Sequence, residues 1–262
     1  MSGPARLPLS VATITRNEAD RLPACLASVA FAAETVVVDG ESTDNTVAVA
    51  KALGARVIVA PWQGFGVQKQ RAMDACQEPW ILLLDADERL PAETAAELAA
   101  AIANPEAPAA FSLPRKNLFA GRWIRHGGWW PDRTVRLFRK GRARMAARLV
   151  HEALEVDGPV AELSQPIVHD TNRDLAQVLE KINRYSSLGA AELFRQGRRA
   201  GILTALFRAL WAFVHNYLLR AGFLDGPEGL VIAVSDGVNT FYKYAKLREA
   251  GRRSQDLPAA SS

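Results

Sequence analysis

Residues 80–88 read WILLLDADE, an unbroken apolar run followed at once by three carboxylates. A short run of large apolar residues bounded by polar ones is typical of a strand buried on both faces. Three similar runs precede it, and each is followed by a predicted helix. The predicted strands lie at 9–15, 35–39 and 56–60, and the predicted helices at 21–30, 45–53 and 67–76. Buried strands that alternate with helices indicate an α/β protein with a mostly parallel sheet between helices.

The carboxyl ends of the four predicted strands are the places to look for a site. Polar or glycine-containing stretches follow all four of them, at residues 15–18, 39–44, 61–66 and 85–88. Parallel sheets bind their ligands outside the carboxyl ends of the strands. We therefore expect these four stretches to meet at one ligand-binding edge.

Asp85 and Asp87 are the candidate metal ligands. Carboxylates two residues apart after a strand end can turn toward one ion, and their hard oxygen atoms suit magnesium or manganese. Such an ion neutralises a diphosphate as it leaves. Surface acidic pairs are common, so a solvated loop is the alternative interpretation. The position directly after a buried strand favours the metal.

Thr15, Asn17, Glu18 and Asp39 are candidate nucleotide contacts. Asp39 lies at the end of a strand, where its carboxylate can accept hydrogen bonds from a base or a ribose. The residues that follow it, 42–44, are typical helix caps. Asn17 has two interpretations: it caps the next helix, or it frames a nucleoside pocket together with Thr15 and Glu18.

Charge is distributed unevenly along the 262 residues, whose formal net charge is +4. Between Arg115 and Arg148 the sequence has eleven basic residues and one acid, Asp132. Such a run attracts phosphates or anionic lipid headgroups, although it also fits a solvated basic face. The two cysteines, Cys25 and Cys76, fit neither a disulfide framework nor a zinc site, which indicates a reducing cytoplasm.

The second half of the chain predicts short strands at 111–113 and 134–138, then helices at 175–196, 202–220 and 231–247. We predict a catalytic domain over 1–170, divided near residue 105 into a donor half and an acceptor half. A helical region over 171–250 and a loose tail over 251–262 complete the prediction.

One predicted helix carries an apolar stripe that fits either an interfacial helix or a core face. Arg198, Arg199, Arg208 and Arg220 lie on or beside it and are predicted to meet lipid phosphates. The stripe comprises Ile202, Leu203, Leu206, Leu210, Phe213, Val214, Tyr217 and Leu218.

Three motifs carry a family resemblance: TRNE at 15–18, DGESTD at 39–44 and LLDADE at 83–88. Together they resemble the nucleotide-diphospho-sugar-binding half of family 2 glycosyltransferases, which implies the GT-A fold. Four further stretches resemble the bacterial β-1,4-glucosyltransferases that add a sugar to heptose in the lipopolysaccharide inner core. These stretches are WQGFGVQKQRA (62–72), GRWIRHGGWWPDRTVRLFRK (121–140), VHEAL (150–154) and LLRAGFLDGPEG (218–229).

The resemblance implies a role for each matching residue. Asp39 would bind uracil, Arg71 would help to hold the nucleotide, Asp85 would contact ribose and metal, and Asp87 would be the principal metal ligand. DGESTD departs from the subgroup, which more usually has serine then glycine after the first aspartate. We expect this difference to alter the loop and to leave the role of Asp39 intact.

Inverting transfer also needs a general base, because a sugar hydroxyl is a poor nucleophile. The subgroup carries a His-Glu pair similar to that in VHEAL, which favours Glu152. Asp132 in WWPDR is the alternative base, unless it forms a salt bridge with Arg133 or Arg136. His169 is a further candidate for the metal.

The resemblance implies an inverting, metal-dependent transfer of a hexose, with glucose favoured, from a UDP-sugar to a heptose hydroxyl of lipopolysaccharide core. The expected partners are the sugar nucleotide, this glycolipid and the inner face of the bacterial inner membrane, where a cytoplasmic enzyme binds peripherally; no nucleic acid is expected. Another cell-surface glycan or lipid-linked acceptor is the first alternative. A non-catalytic protein that binds anionic lipid is the second, but it leaves the carboxylates at three strand ends unexplained.

Overall fold

The computed structural model describes residues 6–146, 154–172 and 174–255. The chain divides into two units. The first comprises Met1–Lys116 and Pro131–Asp170, and the second comprises Asn117–Trp130 and Thr171–Ser262. The predicted site residues Glu152 and its neighbour His151 lie outside the described residues.

The first unit is built on a sheet whose first four strands match the apolar runs predicted in the first half of the sequence. The described strands of the chain are β1 (Leu7–Thr15), β2 (Ala32–Asp39), β3 (Arg56–Val59), β4 (Trp80–Leu83), β5 (Glu88–Arg89), β6 (Ala110–Phe119), β7 (Arg122–Trp123), β8 (Asp132–Arg139), β9 (Ala143–Met145), β10 (Leu154–Val156), β11 (Val160–Glu162) and β12 (Ile167–Asn172). Of these, β9 and β10 pair with each other in a separate two-stranded sheet, and β7 lies in the second unit. The helices of the first unit are α1 (Leu22–Ala27), α2 (Thr46–Ala52), α3 (Phe65–Ala75) and α4 (Ala92–Ala103).

The sheet order is β3-β2-β1-β4-β8-β6-β12-β5, with β11 and β7 also paired to β6. The strands β3, β2, β1 and β4 are parallel, and β8 runs antiparallel to both β4 and β6. The sheet is therefore parallel in its first half and mixed in its second, and the α/β class predicted from the sequence is confirmed.

Both faces of the inner parallel strands β1, β2 and β4 are buried, which explains their continuous apolar runs, whereas the edge strand β3 is partly exposed. On one face Leu9, Val11 and Leu82 pack in a cluster with Leu22 of α1 and Leu98 of α4. The opposite face packs Ile14, Val38 and Leu83 with Ala72 and Met73 of α3. In the register of the sheet Thr15 lies opposite Asp39, so the polar residues after β1 and β2 are neighbours.

The second unit is helical. Its elements are α5 (Leu175–Arg195), α6 (Ile202–Val214), a π-helical turn (His215–Leu219), a 3-10 turn (Gly222–Asp225) and α7 (Gly226–Gln255). The long helix α7 packs against both α5 and α6. By length and composition alone, Ile202–Leu219 is apolar enough to cross a membrane, and 6% of it is buried.

Contacts with α7 decide which side of α6 faces outward. Five exposed positions at helical spacing form an outward face: Leu203, Leu206, Phe207, Leu210 and Trp211. Three members of the predicted stripe, Phe213, Val214 and Tyr217, are instead half-buried, and the rings of Phe213 and Tyr217 stack at 5.4 Å between centroids. Arg208 was expected to meet lipid, but its guanidinium lies over the ring of Tyr244 on α7, 4.9 Å from the centroid.

Candidate functional site

Asp39 is fully buried at the carboxyl end of β2 and is held by hydroxyl and amide donors. Thr15 Oγ1 donates to its Oδ2 at 3.0 Å, and Ser42 donates from its backbone N–H to Oδ1 at 2.9 Å and from Oγ to Oδ2 at 2.5 Å. A buried carboxylate needs such donors, because an unpaired charge is costly away from water. Thr15 and Asp39 are thus brought together as predicted, with Ser42 as a partner that the sequence did not identify.

Asn17 and Glu18 join the loop after β1 to the loop after β2. The Asn17 side chain accepts a hydrogen bond from Thr43 N at 2.8 Å, and Asn17 N donates to Ser42 Oγ at 2.8 Å. Glu18 N donates to Thr46 Oγ1 at 2.8 Å. Asn17 has a φ of 58°, in the left-handed region that Asn tolerates. The prediction that Asn17 caps the following helix is therefore wrong, since its side chain binds the neighbouring loop.

Gly40 and Trp62 show how closely the loops after β2 and β3 approach each other. A side-chain carbon at Gly40 would lie 2.5 Å from the Trp62 ring and 3.3 Å from the carbonyl oxygen of Thr15, so only glycine fits. Arg71 on α3 donates to the carbonyl of Pro61 at 3.1 Å and to the side chain of Gln63 at 2.7 Å. Arg71 therefore buttresses the loop that carries Trp62.

Asp85 follows β4 and forms salt bridges with two cations. Lys69 Nζ lies 2.9 Å from its Oδ1, and Arg136 donates to its Oδ2 at 2.7 Å. Burial raises the pKa of the Asp85 carboxyl, but Arg136 and Lys69 outweigh burial and hold that pKa well below its ordinary value. Asp85 is therefore a carboxylate at neutral pH.

The buried carboxyl group of Glu88 holds both Arg136 and the backbone of Asp85 in place. Its Oε1 accepts from Arg136 at 2.5 Å, and its Oε2 accepts from the backbone N–H of Asp85 at 3.0 Å. Burial and the neighbouring charge of Asp85 raise the pKa of Glu88 despite the attraction of Arg136. The side chains of Glu88 and Arg136 are 0% and 4% exposed, so a buried ion pair fixes the shape of the DADE loop.

Asp87 faces a different partner. Its Oδ2 lies 3.4 Å from Nε2 of His169 on β12, and its backbone carbonyl accepts from Asp170 N at 2.9 Å. The pairing of β5 with β12 places His169 opposite Glu88 and so beside Asp87. The sheet thus brings together Asp87 and His169, which are more than eighty residues apart in the sequence.

The donor set fits a divalent ion that is completed by its ligand. Among the described residues, no three His, Cys, Asp or Glu side chains converge on a preformed cation site. Magnesium is usually held by one or two carboxylates, with phosphate oxygens and water filling the other positions. Asp87 and His169 supply two donor groups, and both oxygens of Asp85 already face Lys69 and Arg136. The residues therefore fit an ion carried in with a diphosphate better than a closed structural site.

Asp132, the alternative base, is paired with a residue that the sequence did not suggest. Arg115 donates to its Oδ2 at 2.6 Å and lies 3.8 Å from Glu88, so Arg115 links Asp132 to the charges around Asp85. The predicted pairing with Arg133 or Arg136 is wrong, because Arg133 lies 3.3 Å from Glu162 and Arg136 faces Asp85 and Glu88.

Lys69, Glu88, Arg115 and Arg136 are the site residues that sequence reasoning missed. Three of them occupy quoted motifs: Lys69 in WQGFGVQKQRA, Glu88 in LLDADE and Arg136 in the long basic stretch. The sequence feature that could have pointed to the three cations is the excess of basic residues in a chain whose predicted strands end in acidic residues. Which cation meets which carboxylate depends on strand order, which the motifs do not specify.

Comparisons with known proteins identify the family to which this chain belongs. The model of the glycosyl transferase family 2 matches residues 10–154. An uncharacterized glycosyltransferase of Rickettsia felis is 32% identical over 265 residues, covering 97% of this chain and 94% of its own. The lipopolysaccharide core biosynthesis glycosyltransferase LpsC of Rhizobium meliloti is 29% identical over 254 residues, covering 92% of each chain.

One solved structure with a similar chain is glucosyl-3-phosphoglycerate synthase of Mycobacterium tuberculosis, crystallised with Mn²⁺, UDP and glucosyl-3-phosphoglycerate. It has 18% sequence identity and a TM-score of 0.48, and the match covers 72% of this chain and 80% of that one. The match to the family model spans more than half of the chain, from β1 to β10. This chain belongs to glycosyltransferase family 2 and has its GT-A fold.

Proposed function

We propose that this enzyme transfers a hexose, with glucose favoured, from a UDP-sugar to a heptose hydroxyl of the lipopolysaccharide inner core, with inversion at the anomeric carbon. The observation that carries the proposal is the set of carboxylates at the carboxyl ends of β2 and β4. The 29% identity with LpsC over almost the whole of both chains supports an acceptor in the lipopolysaccharide core. The resemblance of residues 121–140 and 218–229 to the heptose-acting subgroup supports the same acceptor.

Asp39 and Thr15 are proposed to bind the uridine. The Asp39 carboxylate is already fixed by Thr15 and Ser42, so its position does not depend on the ligand. A carboxylate can accept a hydrogen bond from an imide N–H or a ribose hydroxyl. Asn17 and Glu18 hold the neighbouring loop in place, and Arg71 is proposed to help hold the nucleotide by supporting the loop that carries Trp62.

Asp87 is proposed as the principal protein ligand of a magnesium or manganese ion, with His169 beside it. When bound, such an ion supplies positive charge to the diphosphate that leaves. Asp85 would join the metal only by exchanging Lys69 or Arg136, so its proposed role is to orient the ribose and to support the ion. Lys69 and Arg136 add fixed positive charge on the same side.

Glu152 is proposed as the general base that removes the proton from the acceptor hydroxyl. Asp132 is the weaker candidate, because its Oδ2 already accepts from the Arg115 guanidinium at 2.6 Å. In a single displacement the hydroxyl oxygen bonds to the anomeric carbon while the bond from that carbon to the diphosphate breaks. The proton passes to the base, and the electron pair leaves with UDP.

The proposed acceptor is anchored by acyl chains in the cytoplasmic leaflet of the inner membrane, so we place the enzyme there as a peripheral protein. A protein that only binds anionic lipid would not need a buried Asp39 or the ion pairs around Asp85. These features support catalysis over that alternative.

A panel of UDP-sugars tested with a heptose-containing core lipid is the experiment that decides the function. The expected result is transfer from one UDP-hexose, with UDP-glucose favoured, and slow hydrolysis of the same donor when manganese is present without acceptor. Transfer to another lipid-linked glycan, with none to heptose, would keep the reaction but reject the acceptor. Failure to hydrolyse or transfer any UDP-sugar would reject the proposed donor class.

A further inference from the structure

We infer that the outward face of α6, together with the turn after it, lies in the plane of an anionic lipid bilayer. This inference rests on the membrane location in the proposed function, and it names the contact surface and its orientation. The surface, called here the docking face, comprises Leu203, Leu206, Phe207, Leu210, Trp211, Leu218, Leu219, Phe223 and Leu224. Each of these side chains is exposed in the helical unit.

The docking face has several large apolar side chains on adjacent positions, unlike the single apolar residues scattered over an ordinary protein surface. Phe207 is 70% exposed, Leu203 is 66% exposed and Trp211 is 61% exposed, and they follow each other at helical spacing. A contiguous apolar surface of large side chains marks a contact with another apolar phase. A tryptophan beside aliphatic residues is typical of helices that lie at a membrane interface.

The opposite side of α6 is engaged by α7, which argues against a helix that crosses the membrane alone. A side-chain carbon on Gly237 of α7 would lie 3.3 Å from the carbonyl oxygen of Ala209, so the two helices pack closely. Asn216 donates to Asp236 on α7 at 2.7 Å, and Arg208 lies over Tyr244. Apolar groups on one side and polar contacts on the other fit a helix lying on the surface of a bilayer.

The charges around the docking face select an anionic surface. The sequence has no Asp or Glu between Glu192 and Asp225, whereas it has five arginines in that interval. Arg198 and Arg199 are exposed just before α6, and Arg220 is exposed just after the π-helical turn. Exposed cations therefore flank both ends of the apolar segment, where they can pair with lipid phosphates.

The loop of the second unit that contains residues 125–127 is hydrogen-bonded to residues at the C-terminal end of the docking face. Asp225 is 4% exposed and accepts from the backbone N–H of Arg125 at 3.1 Å and of His126 at 2.7 Å. Gly127 N donates to the carbonyl of Arg220 at 2.9 Å. The exposed Arg125 is thereby held at the same end of the surface as Arg220, which extends the cationic rim.

The same charges disfavour a second copy of the chain as the partner. In a two-fold symmetric dimer each surface meets its own copy, so a patch flanked by arginines without acids opposes like charges. An anionic bilayer instead supplies both the apolar phase and the negative charge.

Flotation of the full-length protein with phosphatidylglycerol-containing vesicles tests the inference. The variant Phe207→Gln with Leu210→Gln should weaken binding by more than about tenfold, since apolar burial drives insertion. The variant Arg198→Gln with Arg199→Gln should weaken it by about 30-fold, at about 1 kcal/mol per arginine. The matched control Leu53→Gln with Val59→Gln alters exposed apolar residues of the first unit and should bind like the wild type.

The salt dependence of binding and the quenching of Trp211 fluorescence distinguish a helix that lies on the bilayer from one that crosses it. Binding should fall as salt rises, because the arginine contribution is screened, whereas a spanning helix would stay in the vesicles. Brominated acyl chains should quench Trp211 fluorescence, and the quenched fraction should drop in Trp211→Phe. Absence of binding to anionic vesicles in low salt would overturn the inference, as would salt-resistant insertion.

Two further results separate this inference from its competitors and from the proposed function. Sedimentation that shows a dimer, converted to monomer by Phe207→Gln with Leu210→Gln while vesicles have no effect, would assign the surface to a second copy. Asp87→Ala should abolish transfer yet float like the wild type, so loss of activity and loss of docking are independent readouts. Docking by an enzyme that accepts no heptose lipid would reject the acceptor and keep the docking face.

Discussion

The two units of this protein depart from ordinary burial in opposite ways. In the first, charged residues are buried, since Arg136, Glu88 and Asp39 all lie in the interior. In the second, large apolar side chains are exposed, with Phe207 at 70% and Leu203 at 66%. Charged residues are almost never fully buried unless they are paired, and large apolar patches on a surface mark a contact.

The comparison teaches that each exception has its own physical requirement. Buried charge persists in the first unit because the buried carboxylates have partners: Glu88 has Arg136, and Asp39 has donors from Thr15 and Ser42. Exposed apolar surface persists in the second unit because α7 packs against one side of α6 and leaves the apolar residues on the other side in water. The first exception supports the proposed reaction, and the second supports the proposed contact with a bilayer.

The largest effect is expected from Asp87→Ala. The leaving diphosphate would lose the charge that the bound metal supplies, so transfer should fall by about 10³-fold or more. Transfer is measured with saturating manganese and UDP-sugar, and circular dichroism checks the fold. Asp74→Ala, an exposed carboxylate on α3, is the matched control and should stay active. Full activity of Asp87→Ala in EDTA would exclude the proposed metal role.

Glu152→Gln should lower the transfer rate by about 10²- to 10⁴-fold, since the amide keeps the shape but cannot take the proton. Affinity for the UDP-sugar, measured by calorimetry, should change little. Asp132→Asn is the paired variant and should retain more activity, because Asp132 already faces Arg115. The reverse result, with Asp132→Asn inactive and Glu152→Gln near wild type, would make Asp132 the base.

Arg136→Met should lower the free energy of unfolding by about 3 kcal/mol, because the buried Glu88 loses its nearest cation and must either keep its charge beside the more distant Arg115 or take up a proton. The loss falls at the low end for a broken buried pair, since Asp85 keeps Lys69 at 2.9 Å. Urea unfolding measures it. Arg144→Met, whose exposed ion pair with Glu155 contributes about 0–1 kcal/mol, is the control.

A second substitution sharpens the test of the buried pair. Adding Glu88→Leu to Arg136→Met removes the buried carboxyl group that has lost its nearest cation, so part of the lost stability should return. If Arg136→Met were as stable as the wild type, the ion pair would contribute nothing to the shape of the DADE loop.

The sequence predicted the elements of the parallel half well, because each depends on a local pattern. The strand predicted at 35–39 is observed as Ala32–Asp39, and the helix predicted at 45–53 is observed as Thr46–Ala52. Gly54 has a φ of 81°, the left-handed conformation that the predicted helix end requires. The convergence of Thr15 and Asp39 followed from the parallel register.

Long-range pairing limited what the sequence could predict of the site. The basic run from Arg115 to Arg148 fitted a solvated face, yet Arg115 and Arg136 point at the buried Glu88. Their inward direction depends on β8 lying between β4 and β6, an order that local patterns do not encode. Helical spacing likewise predicted a stripe on α6, but α7 decided that Phe207 and Trp211, rather than Phe213, point outward.

The smallest effect completes the comparison: Phe207→Gln with Leu210→Gln should change the free energy of unfolding by no more than about 0.5 kcal/mol. Both side chains lie mostly in water in the folded protein, so their removal takes little apolar area out of the packed interior. Leu137→Ala is the contrasting variant, because Leu137 is fully buried in the first unit and its loss should cost about 2–5 kcal/mol. Urea unfolding of both variants without vesicles measures the difference. A loss near that of Leu137→Ala would mean that Phe207 and Leu210 are packed against protein, and the exposed surface of the helical unit would then need no partner.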